Sequence, residues 1–262
     1  MKALLLDTFQ SARSWRKWYL FGMQSIRAAY ARSRIGQFWI TLLFLVMVVS
    51  LGVIYTTLWQ AEIREFLPFF AVSQMLWLLM SSIAQESSTT YAAYAGYFKA
   101  ERQPTTLFIF AIVFKNLVVM AHNAIVVVAV YLFFWKPVGV VALLALPGLV
   151  VVALNCYWIA LVNALVCARF RDIPAVVTSL VQITFFVSPI LWPPSAIKNP
   201  DLRVLLVDLN PVANLMSIVR DPLQGQVPSL HAYAFTAGFT LLGLAIAGAV
   251  FARAHRRLVY WV

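Results

Sequence analysis

The sequence predicts an all-α polytopic membrane protein. Six transmembrane helices are expected, with an amphipathic interface helix before the first and a re-entrant helical hairpin on the outer side between the fifth and sixth. Three observations carry this prediction: the composition, the uncharged runs and the placement of the cations. Hydrophobic residues make up 63% of the 262 positions and charged residues 11%, whereas a soluble domain is about a quarter charged. So few charges cannot cover a surface facing water, but they suffice for one facing lipid. The mean hydropathy is +0.85. At about 20 apolar residues per crossing, the length suits roughly six helices. No internal repeat or Gly/Ser linker interrupts the chain, so residues 1–262 read as a single transmembrane domain.

Six stretches are long enough to cross a bilayer. Phe38–Trp59 carries no charge over 22 residues. Residues 67–85 are likewise uncharged, and residues 105–135 hold Lys115 as their only charge. Residues 138–168 form a long uncharged run with Pro147-Gly148 as a bend point, followed by residues 173–192 and residues 230–252. The Pro193-Pro194 pair stops the fifth run, since proline supplies no N–H to a helix. Six crossings place both ends of the chain on one side. Lys and Arg divide 14 to 5 between the two sets of connections, which puts both termini on the cytoplasmic side of the membrane. The net charge of +11 is therefore an orientation signal. It does not form the solvated basic surface that nucleic acid requires.

Residues 1–37 hold seven cations and no early apolar core, so no secretory signal is expected there. Within residues 14–33, Trp15, Trp18, Tyr19, Gly22, Ile26, Ala29 and Tyr30 share one helical face, with the cations largely off it. That pattern suits a helix lying in the membrane interface, or a simple N-terminal anchor. The cytoplasmic loop 86–104 gathers Tyr91, Tyr94, Tyr97 and Phe98 before Lys99 and Glu101-Arg102. A short amphipathic helix there would present aromatics and charges to a partner. The outer segment 193–229 is too long for a plain hairpin. Asn210 reads as an N-cap with Pro211 at the first helical position, a partner helix lies over 202–209, and the second helix ends near Arg220-Asp221-Pro222. Non-helical backbone at membrane depth must be buried by protein or line a cavity, so this hairpin is a gate candidate.

Catalytic patterns are missing. Neither G-x-x-x-x-G-K-[ST] nor G-x-G-x-x-G occurs, so no phosphate loop for nucleotide is present. His122, His231 and His255 are scattered, with no metal spacing to Cys or carboxylates. Cys156 and Cys167 lie about 16 Å apart along one helix, beyond disulfide reach. None of the nine carboxylates falls in an apolar run, which argues against proton-coupled transport and against a metal-dependent membrane transferase. Polar residues do enter the spans. Lys115, Asn116, Val119, His122 and Asn123 share a face of the third; Asn155 and Asn163 lie in the fourth and Gln182 in the fifth. Asn116, His122 and Asn123 read equally as the lining of a hydrophilic path and as interhelical hydrogen-bonding groups. Lys115 is expected to snorkel to the cytoplasmic interface.

Several motifs, in order, resemble the transmembrane subunits of type-2 ABC exporters that move lipid-linked polysaccharides such as O-antigen, capsule and teichoic acid. Arg27-Ala28-Ala29-Tyr30-Ala31-Arg32-Ser33-Arg34-Ile35-Gly36-Gln37-Phe38-Trp39 is similar to the family's R-Y-x-x-S-x-L-G-x-x-W, with Ile35 in place of Leu. Lys115-Asn116 and His122-Asn123 resemble its R-N-L-(x)4-H-N. Ala168-Arg169-Phe170-Arg171-Asp172-Ile173-Pro174 is similar to its most specific mark. Phe185-Phe186-Val187-Ser188-Pro189-Ile190-Leu191-Trp192 and Asn210-Pro211 through Arg220-Asp221-Pro222-Leu223-Gln224-Gly225 complete the likeness.

The resemblance implies a transport subunit without enzymatic chemistry, paired with a second copy and two copies of an ABC ATPase. ATP and Mg would be held by that ATPase, with no cofactor bound directly by this chain. Loop 96–104 resembles the coupling helix, which implies an ATPase contact through Glu86, Tyr97, Phe98, Lys99, Glu101 and Arg102. Arg27, Arg32, Arg34 and Gly36 would meet an undecaprenyl-pyrophosphate head. Asn116, His122, Asn123, Trp77, Tyr157 and Trp158 would line the channel, and Asn210, Pro211, Arg220 and Asp221 would belong to the outer gate. O-antigen is the favoured passenger. Capsule, teichoic acid or small lipophilic compounds are the alternatives, with a membrane-embedded envelope-synthesis enzyme further off.

Overall fold

The computed structural model describes residues 1–31, 33–60, 62–100, 103–255 and 257–261, with the side chains of Tyr30, Trp59, Lys99 and Val259 left out. Arg32, Glu101 and Arg102, each given a role above, lie outside the described residues, as does the side chain of Lys99. Among the described residues the regular structure is helical throughout. Five helices are long and apolar enough to cross a membrane, and a sixth crossing arises if one bent pair counts as a span.

The chain opens with α1 (Lys2–Arg13) and α2 (Trp15–Tyr30), then enters α3 (Phe38–Trp59). In α3 the buried positions Ile40, Phe44, Val48, Gly52 and Thr56 recur every fourth residue, so one stripe faces protein and the rest faces outward. The return helix α4 (Ile63–Ser87) is the centre of the bundle and is buried along most of its length. It packs against α3, α7 (Leu107–Phe133), α8 (Ala145–Arg169) and α9 (Ile173–Val187). Two short helices, α5 (Thr90–Ala93) and α6 (Ala95–Ala100), fill the loop between α4 and α7. The last long helix, α12 (Leu230–Ala254), packs chiefly on α8.

Close packing of α8 on α12 depends on Gly243. A Cβ there would overlap the Trp158 ring. The irregularity expected at Pro147-Gly148 instead takes the form of a 3-10 turn, Val140–Leu144. Pro147 falls in the first turn of α8, where a missing N–H breaks no helical bond.

The fifth predicted span is shorter than expected. In place of residues 173–192, α9 ends at Val187 after 15 residues, about 22 Å at 1.5 Å per residue. Pro189 explains the stop, because a proline disfavours α geometry at the residue before it. Ser188 is extended accordingly, at φ −92 and ψ 152. None of the α9 side chains is buried.

Beyond α9 the hairpin follows. Its first arm is α10 (Pro200–Arg203), continued by a π turn Val204–Asp208, and its second is α11 (Pro211–Leu223). The arms bend by 77°. The cap read from sequence is present, with Asn210 Oδ1 accepting from the N–H groups of Val212 and Ala213. A final short helix, α13 (Leu258–Trp261), lies against the end of α8, where Arg169 stacks over the Trp261 ring at 5.6 Å.

Candidate functional site

Four groups of residues carry the functional expectations, two near the basic end of the bundle, one in its interior and one at the far end.

The loop between α4 and α7 is fastened on several sides. Asp7 of α1 accepts from the backbone N–H of Thr105 at 3.0 Å and of Thr106 at 2.8 Å, and from the Thr106 hydroxyl at 2.8 Å. It thereby holds the two residues that lead into α7, where a carboxylate also meets the positive end of the helix dipole. Ser11 reaches the same Thr106 hydroxyl, and Lys17 donates to Gln103. Tyr91 is 1% exposed and donates to the Thr105 carbonyl. Burial, with Asp7 and Tyr157 adding to it, holds its phenol well above the ordinary range, so it remains a donor.

The aromatics read as facing a partner turn inward instead. Tyr94 stacks on Phe108 at 4.4 Å, Phe98 lies 4.9 Å from the same ring, and Phe21 of α2 contacts Tyr94 and Tyr97. The residues that supply these partner rings, Phe21 and Phe108, lie outside the loop. Tyr97 still leaves half its surface open, and Phe98 is half-buried.

Glu86 also points inward. The helix α4 extends two residues beyond the predicted run, so this carboxylate falls in its last turn and not in the loop. It accepts from Lys115 Nζ at 2.6 Å and from the Asn116 amide at 3.3 Å. Lys115 therefore does not simply snorkel outward; it pairs across to α4. Both side chains stay partly exposed, at 25% for Lys115 and 34% for Glu86. They open on a cavity of about 400 Å3 between α2, α3, α4 and α7, which Asn116 and Asn123 also line. The Oδ1 of Asn123 has no partner there.

Arg27 and Arg34 are exposed, and the side chain of neither makes a hydrogen bond or ion pair among the described residues. Arg27 lies in a shallow groove along α2 with Tyr19, Met23 and Gln24. Gly36 has φ +63, a left-handed turn open to glycine at little cost, and its N–H donates to Ser33 Oγ. This turn redirects the chain from α2 into α3.

In the interior, Trp77 and Trp158 share a cavity of about 470 Å3 bordered by α4, α8, α9 and α11. Asn155 and Asn163 also face it, but their amides are engaged within the protein. Asn155 bonds Val151, Thr240 and Trp158, and Asn163 bonds Ala84, Ser87 and Cys167. The wall left over is apolar. Tyr157 lies elsewhere, bonding Thr8 of α1 at 2.7 Å. His122 turns back on its own helix, with Nδ1 against the Val118 carbonyl. The structure thus separates the six channel candidates: Trp77 with Trp158, Asn116 with Asn123, and Tyr157 and His122 outside both cavities.

At the far end Arg220 is 3% exposed and ties three parts together. Its Nη1 donates to the Pro189 carbonyl at 3.0 Å and to Ser73 of α4 at 3.3 Å, its Nε faces Asp221 at 3.4 Å, and its guanidinium covers Phe69 at 4.6 Å. Asn210 and Ser188 bond side chain to side chain across the junction with α9. Asp7, Phe69, Ser73 and Ser188 were not visible as participants, because their partners lie far away in sequence.

Residues 16–223 match the ABC-2 type transporter family, and the chain belongs to it. It is a multi-pass membrane permease subunit of an exporter, a family whose ATPase is a separate subunit. One relative, the O-antigen export system permease protein RfbA of Myxococcus xanthus, is 24% identical over 198 residues. That alignment covers 74% of this chain and 75% of the relative.

Proposed function

We propose that this chain is the permease of an ATP-driven exporter that carries undecaprenyl-pyrophosphate-linked polysaccharide, O-antigen in particular, across the bacterial inner membrane. The observation that carries the reading is the likeness to a protein named as an O-antigen export permease along three-quarters of both chains. Two copies form the transport path, with two ATPase subunits on the cytoplasmic side and both termini on that side. The 14 to 5 division of cations supports this orientation. Residues 1–262 act as one transmembrane domain.

ATP and Mg belong to the partner subunit, and this chain's residues supply the docking and the path. Glu86, Tyr97, Phe98, Lys99, Glu101 and Arg102 form the coupling region. The bonds to Asp7, Thr105 and Lys115 support its movement as a rigid piece with α1 and α7. Arg27, Arg32 and Arg34 receive the pyrophosphate beside the Gly36 turn. The exposed guanidinium groups of Arg27 and Arg34, which have no side-chain partner among the described residues, suit that anion. Asn210, Pro211, Arg220 and Asp221 form the outer gate.

Complementation tests this reading. In a strain lacking its own O-antigen permease, the chain expressed with its ATPase restores surface glycan, seen as a ladder on a gel. The purified chain alone turns over no ATP. Failure to restore the ladder with both subunits assembled, or ATP turnover by the lone chain, overturns the assignment. Arg27→Ala and Arg34→Ala each lower export about tenfold while the complex still assembles, the size of a lost charge-assisted hydrogen bond.

A further inference from the structure

The outer hairpin roofs a cavity of about 490 Å3 against α4, the start of α12 and the segment after α9. Its wall is mostly polar, unlike the apolar cavity at Trp77 and Trp158. Arg203, Asp208, Arg220, Asp221, Gln224 and Gln226 all contribute to it. In the apolar cavity the protein satisfies its own amides, so their polar atoms offer nothing to a ligand. Here the opposite holds. The side chains of Arg203, Asp208, Gln224 and Gln226 make no hydrogen bond among the described residues, and neither do Arg220 Nη2 and Asp221 Oδ2.

Arg220 is also fixed before any ligand arrives. Phe69 lies beneath its plane, while Ser73 and the Pro189 carbonyl hold one edge. Such a side chain loses little further freedom on binding.

The balance of charges decides the ligand class. Two arginines face two aspartates, so the wall is formally neutral. An anion would meet Asp208 and Asp221, a cation would meet Arg203 and Arg220, and an apolar chain would strand all of them. A neutral polyhydroxylated molecule fits, because each hydroxyl both donates and accepts. The volume lies in the range of about 300–1,000 Å3 typical of small-ligand sites. We propose that this cavity is a saccharide subsite, which holds a sugar residue of the passenger glycan at the outer face. Identifying the sugar as passenger rests on the export reading above; the sugar chemistry of the cavity does not. Occupancy would bear on Arg220, and through it on the contact between α11, α4 and the end of α9.

The test uses the full permease–ATPase complex in lipid nanodiscs. Methyl glycosides of glucose, galactose, mannose, rhamnose and N-acetylglucosamine are probed by saturation-transfer NMR, with inorganic phosphate as the anionic competitor. Asp208→Asn and Gln226→Ala are the variants, since neither side chain supports the fold through a hydrogen bond. At least one glycoside binds, each variant weakens it about fivefold, as for one lost hydrogen bond, and phosphate does not displace it. Binding by no glycoside, binding unchanged in both variants, or displacement by phosphate overturns the subsite. Complementation separates the two ideas. Surface glycan without glycoside binding removes the subsite and leaves the export reading intact. Variant-sensitive glycoside binding without surface glycan removes the export reading and leaves a sugar site.

Discussion

Glu86 and Lys115 sit 29 positions apart and meet at 2.6 Å where α4 ends beside α7. Each is the other's main electrostatic partner, and removing one leaves a partly buried charge uncompensated. Both retain contact with the cavity, so the pair itself contributes no more than about 1 kcal/mol after screening. Glu86→Gln is expected to lower the melting temperature of the purified complex more than Glu86→Gln combined with Lys115→Met. A double-mutant cycle reads this coupling, and strictly additive shifts would remove it. The sequence showed Lys115 as a lone cation in an apolar run. Its partner escaped notice because Glu86 follows the last uncharged residue of the predicted span and looked like loop.

At the scale of elements, legibility tracked how local the cause was. The start of α11 was readable because Asn210 and Pro211 act within three residues, through bonds to Val212 and Ala213. The early end of α9 follows from Pro189 alone, yet the apolar run past it, through Trp192, looked like continuing span. The start of α7 was not readable in the same way, since the carboxylate that holds the residues before it, Asp7, comes from 98 residues upstream. The packing of the rings in loop 86–104 was hidden for a related reason. Their partner rings, Phe21 and Phe108, arrive from other helices.

Two measurements address these ends. Asn210→Ala costs about 1 kcal/mol of helix stability, so the non-proline amides of α11 exchange hydrogen faster while those of α4 keep their protection. Asp7→Ala strands the N–H groups of Thr105 and Thr106, and faster exchange is expected over residues 103–110. Unchanged exchange there would mean that α7 holds its own start.

For the whole molecule, composition and the uncharged runs were enough for the all-α, multi-pass fold, because a bilayer leaves few solutions to a chain this apolar. The division of polar residues among separate cavities was not, since spacing places residues on a face without saying what that face meets. Asn116 and Asn123 share a cavity with Glu86, whereas His122, on the neighbouring position, does not.

The 15-residue length of α9 has a mechanical consequence. At about 22 Å it falls some 8 Å short of a hydrocarbon core about 30 Å thick. Where its exposed face meets lipid, the bilayer thins to match it or the hairpin sinks, and either distortion carries an elastic cost that grows with acyl length. Reconstituted into vesicles of increasing chain length, the complex should transport fastest in the thinner bilayers and slow as the acyl chains lengthen. A rate indifferent to thickness would mean that a neighbouring helix shields α9 from lipid altogether.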